Sequence, residues 1–191
     1  MGNNVSAAKP AYGGAVSVAP SGTTLPTDAT TALAAAFTKL GYISDSGMTH
    51  QNTINSDTIK AWGGDEVLVV YNGREVSFKF AFLESMNADV LKLIYGDSNV
   101  SGTLETGISI NAKSNIEMPE KVWAIDVVMK DNTKKRIVIP AGRISEVGDI
   151  TYVDNDAITY EVTVAAIPDA SGNTHYEYMK GATGATGATN G

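Results

Sequence analysis

Asp65-Glu-Val-Leu-Val-Val-Tyr71, Asn72-Gly73 and Arg74-Glu-Val-Ser-Phe-Lys-Phe-Ala-Phe-Leu83 are the three consecutive phrases that decide the fold class of this 191-residue chain. The two outer phrases are rich in β-branched and aromatic residues, which suit a pleated, half-buried surface. In the third, Val76, Phe78, Phe80 and Phe82 alternate with Glu75, Ser77, Lys79 and Ala81. Successive side chains of a strand point to opposite faces, so this segment predicts one apolar face and one wet face. Asn72-Gly73 places two residues that tolerate positive φ between the runs, the signature of a two-residue hairpin turn. The phrases together predict a hairpin turning at Asn72-Gly73.

Upstream, Thr27 or Asp28 can cap a short helix with Leu33, Phe37 and Leu40 on one face and Gly41 at its end. Residues 1–31 hold two charged side chains, Lys9 and Asp28, and three of the six prolines. Such a segment lacks the bulk for its own core and is expected to be a flexible arm, although Ala15-Val-Ser-Val18 alternates and can add a strand to a sheet. Downstream, residues 86–95 predict a helix with Met86, Val90, Leu93 and Ile94 on its core face, capped by Ser85 or Asn87 and ended by Gly96. Lys121–Lys130 and Lys135–Ile139 flank the loop Asp131–Lys134, and Ile150–Val153 and Ala157–Ala166 flank Asp154–Asp156; both arrangements predict hairpins. Ile158, Tyr160, Val162 and Val164 alternate with Thr159, Glu161 and Thr163. The expected fold is mainly β with one or two short helices, an antiparallel β-sandwich or partial barrel. It divides into the 1–31 arm, a β-rich domain over 32–168, and a C-terminal arm over 169–191 that ends in Gly-Ala-Thr repeats. Three such triplets without proline are too few for a collagen helix, so they are expected to be a flexible end.

The composition excludes several chemistries. There is no cysteine, which removes disulfides, thiolate nucleophiles and Cys-based metal sites. Fourteen basic against 21 acidic side chains give a formal charge of −7, opposite in sign to a protein that grips phosphates. No apolar stretch approaches the roughly 20 residues of a membrane-spanning helix. Met1–Gly14 has no charged-then-apolar leader pattern, so no membrane targeting is expected. His50 and His175 stand among polar neighbours in expected loops or short edge strands, each without a partner in sequence. No Gly-x-Ser-x-Gly elbow, phosphate loop or dinucleotide pattern occurs, and neither catalytic residues, cofactor nor metal are expected. Asp154-Asn-Asp156 offers hard oxygens but is expected to be a turn rather than a calcium site. The myristoylation pattern at Met1–Ser6 and the sequons at Asn4 and Asn99 are short enough to arise by chance. Trp62 and Trp123 suit core or interface anchors, with a sugar platform as the rival use.

Glu84-Ser-Met-Asn-Ala-Asp-Val-Leu-Lys-Leu-Ile-Tyr-Gly-Asp97 resembles a phrase ending in Leu-Lys-x-x-Tyr-Gly that the major tail proteins of siphophages place after a long hairpin. Leu40-Gly-Tyr-Ile-Ser-Asp-Ser-Gly-Met48 and Trp62-Gly-Gly-Asp65 resemble that family's pattern as well, as does the order of arm, short helix, hairpin, helix and β-rich second half. The likeness spans roughly residues 30–165 and is most specific over 37–97. It implies a β-sandwich or half-barrel subunit with a flanking helix that joins sheets edge to edge in hexameric rings, stacked into a tube for double-stranded DNA. It further implies self and other phage tail proteins as partners, no membrane, and residence in the virion after synthesis in the bacterial cytoplasm. On this reading Glu75, Ser77, Thr159, Glu161 and Thr163 are the candidate lumen-facing residues; an ordinary outer surface is the alternative. The inner tube of a contractile tail or secretion device, and a carbohydrate-binding module using Trp62 or Trp123, stand as rivals.

Overall fold

The computed structural model describes residues 4–182. Its elements in chain order are β1 (Lys9–Pro10), β2 (Val16–Pro20), β3 (Thr38–Lys39), β4 (Ile43–Lys60), β5 (Glu66–Phe82), α1 (Ala88–Tyr95), β6 (Val100–Ser101), β7 (Ser109–Ile110), β8 (Lys121–Val128), β9 (Lys134–Val147), β10 (Tyr160–Ile167) and β11 (Tyr176–Lys180). A nine-stranded antiparallel sheet runs β3-β2-β8-β9-β10-β5-β4, with β1 beside β8 and β11 beside β9; β6 and β7 form a separate pair. The protein is mainly β, with an antiparallel sheet that does not close into a barrel. No helix among the described residues is long and apolar enough to cross a membrane.

Alternation builds the core. Val76, Phe78, Phe80 and Phe82 of β5 and Tyr160, Val162 and Val164 of β10 are buried together with Trp123, Ile125, Ile137 and Ile139. A flat sheet would hold β5 and β8, three strand spacings apart, at about 14 Å. Instead the Phe80 and Trp123 rings meet at 6.2 Å, and Met48 and His50 of the edge strand β4 line one cleft with Ile125 of β8 and Ile137 of β9, so the sheet curls around its own apolar face into a half-barrel. Trp123 donates its indole N–H to the Gly142 carbonyl at 3.0 Å, which satisfies the one polar atom of this core ring. Asn87 caps α1 by accepting from the Asp89 N–H, and Val90, Leu91, Leu93 and Ile94 turn into the core before Gly96, at φ 90, ends the helix. Met86 is exposed outside the helix, not on its core face. Asn99 is buried and donates to the Tyr95 carbonyl, so its sequon is closed to a bulky modification.

Three expectations are corrected. Asn72-Gly73 is not a turn: β5 runs through it, paired with a strand the alternation missed, β4, which spans 43–60. The register steps from Asn55↔Gly73 to Ser56↔Tyr71, leaving Asn72 as a bulge whose side chain donates to Asp57, with Gly73 at φ 119. The turn lies at Ala61–Asp65, where Gly63 and Gly64 supply the positive φ values. Residues 27–41 form no helix. The Asp28 carboxylate accepts from the N–H and hydroxyl groups of Thr30 and Thr31, while the Asp28 and Thr31 carbonyls take hydrogen bonds from Arg136. This segment thereby serves side chains rather than a helical ladder. Residues 150–159 form no strand, so the expected hairpin there is absent; β10 pairs instead with β9 and β5. His50 lies in β4, the strand at the sheet's edge, which is one of the two places expected for it, although that strand is long rather than short.

Within the first 31 residues, β2 lies in the sheet between β3 and β8, with Val16 and Val18 in the core. Of the Gly-Ala-Thr repeats, all but Gly181 and Ala182 lie outside the described residues.

Candidate functional site

The wet face of the β5–β10 pair gathers four of the five candidate polar residues. Glu161 sits opposite Ala81, Thr163 opposite Lys79, and Ser77 between Gln51 and Ala165. Lys79 donates to Glu161 at 2.8 Å, with both side chains about half exposed. That hydrogen bond, reinforced by the carboxylate charge, raises the Lys79 pKa above its ordinary value. Thr163 donates to Glu146 at 3.3 Å, and Ser145, the extra residue where β9 bulges, donates to the Thr163 carbonyl at 3.1 Å. Glu75 accepts from the Asn55 amide at 2.9 Å on β4. Thr159 precedes β10 and stands outside the pairing. Glu75, Glu146 and Glu161 thus share this face with two cations, Lys79 and Arg143; Arg143 stands opposite Ala165 and brings a fourth carboxylate, Glu117, at 3.2 Å.

Beyond residue 53, β4 and β5 leave the sheet as a free two-stranded ribbon ending at Trp62, which is wholly exposed. Ile54, Ile59, Val67, Leu68, Val69 and Tyr71 are each at least half exposed along it. A two-stranded ribbon with apolar side chains in water on both faces is marginal by itself and gains from being covered, because each Å² of apolar area taken out of water is worth about 25 cal/mol. The residue types of 65–71 and 74–83 mark them as strand-forming but give no sign of this exposure, since β-rich composition says nothing of whether a face is covered.

A third cluster lies where β4 passes the start of β11. His50, His175 and Glu177 present ligand atoms all within 4.8 Å of one another. His50 stacks on Phe78 at 4.5 Å, and His175 meets both rings edge-on, at 4.8 Å from His50 and 5.4 Å from Phe78. Burial, followed by the neighbouring His50, lowers the pKa of His175. Asp169 sets up the approach. It accepts from the N–H groups of Ser171 and Asn173 and from the Tyr176 hydroxyl, which lowers its own pKa and raises that of Tyr176. No sequence spacing connects His50 with His175; only the fold does.

A family model described as phage tail tube protein matches residues 1–189. The chain belongs to that family. No curated protein sequence matches it. Membership makes this tail tube protein a structural component of a bacteriophage virion and implies self-assembly and contact with other phage tail proteins. In that setting the surfaces left open by one copy matter most: the outer edge of β4, the apolar ribbon, and the polar face of β5 and β10. The sugar-platform use of Trp123 is overturned, because that ring is 1% exposed in the core of the tail tube protein.

Proposed function

We propose that this tail tube protein is the major tube subunit of a long non-contractile, siphophage-type tail, closing into hexameric rings that stack and conduct DNA during ejection, with no catalytic activity. The free apolar ribbon of β4 and β5 carries the reading, because a neighbouring copy can both cover its side chains and pair with its open edge. The exposed residues leading into β1 serve as an arm against a neighbouring subunit. The polar face holding Glu75, Ser77, Glu161 and Thr163, with Thr159 at its margin, lines the bore. Its modest excess of acids over cations suits sliding DNA, since a strongly basic wall would hold many phosphates at once. Before assembly the subunit resides in the host cytoplasm, which a cysteine-free chain tolerates as well as the oxidising exterior.

Electron microscopy of concentrated purified protein tests this. Hollow tubes of sixfold symmetry with Glu75 and Glu161 towards the lumen are expected. A species that stays single at every concentration, or tubes with both carboxylates on the outer wall, would overturn the assembly and the bore assignment respectively.

A further inference from the structure

We propose that His50, His175 and Glu177 form a binding site for a divalent transition-metal ion that fastens β11 to β4. These two strands are not hydrogen-bonded to each other: β4 pairs with β5, and β11 with β9. The cluster therefore spans a gap in the half-barrel wall, where one ion would join two open strand edges.

The donors suit such an ion. Two imidazoles and a carboxylate match zinc, cobalt or nickel, whereas calcium and magnesium call for oxygen ligands. The His175 Nδ1 is engaged with the Thr174 hydroxyl at 3.1 Å, which leaves Nε2 for a metal and fixes the ring in the manner of an outer-shell partner. Phe78 holds the His50 ring by stacking. Lys135 takes one oxygen of Glu177 at 2.8 Å and leaves the other. Bonds of about 2.0–2.2 Å to a tetrahedral ion put ligand atoms nearer than the present spread. Binding would therefore draw the three side chains together by about 1.4 Å, against the Phe78 stacking on His50 and the Lys135 pair on Glu177. A cleft of about 740 Å³ opens beside His50, Lys135 and Glu177 and gives an ion its way in. Among the described residues no other three such side chains come together.

The rival view is that the two histidines only pack on Phe78. Cobalt(II) titration of the full chain, followed by the visible absorption of the ion, separates the two. The expected result is a saturable tetrahedral-type band at one ion per chain. His50→Phe, which keeps a stacking ring, and His175→Gln should each weaken binding at least about tenfold. Lys135→Gln should strengthen it by freeing the second Glu177 oxygen. Absence of the band in the wild-type chain, or a band that survives unchanged in folded His50→Phe, would overturn the site.

Discussion

Gly142 shows how closely the core is fitted at the level of one atom. A Cβ there would lie 2.5 Å from Cδ1 of Trp123 and 3.0 Å from a Val164 methyl, at a position whose backbone needs no positive φ. Gly142→Ala therefore tests overpacking alone, and urea denaturation should give a loss of about 1–3 kcal/mol. Gly63 and Gly64 meet nothing within 4 Å, so alanine there would act only through their positive φ values, at the ribbon's turn. Asp169 makes a pH-dependent contribution. Its folded pKa lies below the ordinary 3.8, chiefly through the Tyr176 hydroxyl and then the Asn173 N–H. That stabilisation is complete above pH 3.8 and is lost as pH falls through the depressed value. Amide exchange should accordingly show Tyr176–Lys180 losing protection on acidification, and Asp169→Ala should show the same loss at neutral pH. Equal protection of β11 in the variant and the wild type would refute this.

Among the elements, the β4–β5 ribbon is where sequence and structure part company. Val67→Thr, Val69→Thr and Tyr71→Thr combined keep β propensity while removing apolar surface that is 59–63% exposed in the single copy. The triple variant should keep its unfolding midpoint, as exposed substitutions usually change stability by about 0.5 kcal/mol or less. With about 1.5 kcal/mol or more at stake per covered side chain, its critical concentration for tube formation should rise at least about a hundredfold, measured by sedimentation. The inward alternation of β5 and β10 was legible because those faces pack on a core, and α1 was legible through Asn87, Gly96 and its apolar stripe. β4 was hidden because residues 51–60 stand almost wholly in solvent, so no hydrophobic period marks it. Asn72-Gly73 did signal positive φ, but a bulge in a long strand needs that conformation as much as a turn does. The Arg136 side chain, 5% exposed and bonded to Asp126 as well as the 28–31 carbonyls, likewise gave no local hint that it would displace a helix. Histidine pairing was invisible for the same reason: it is made by tertiary structure.

For the molecule as a whole, charge and chain order matter most. Glu75→Lys combined with Glu161→Lys would turn four carboxylates, Glu117 beside Arg143 included, against two cations into the reverse on the proposed bore wall. Tubes of this variant should assemble and should retain DNA at low salt, with retention collapsing between roughly 50 and 200 mM salt. Wild-type tubes should retain none, and equal behaviour of the two in a co-sedimentation assay would remove this face from the lumen. Chain order has a different bearing. β2 pairs with β8, whose residues follow it by about a hundred positions, whereas β4 and β5 are joined by a five-residue loop. On a translating ribosome the ribbon can zip up as soon as it emerges, while β2 waits for the second half of the chain. Each nascent polypeptide thus displays its sticky projection before the platform beneath it is finished, and crowded polysomes are where premature association between unfinished copies would begin.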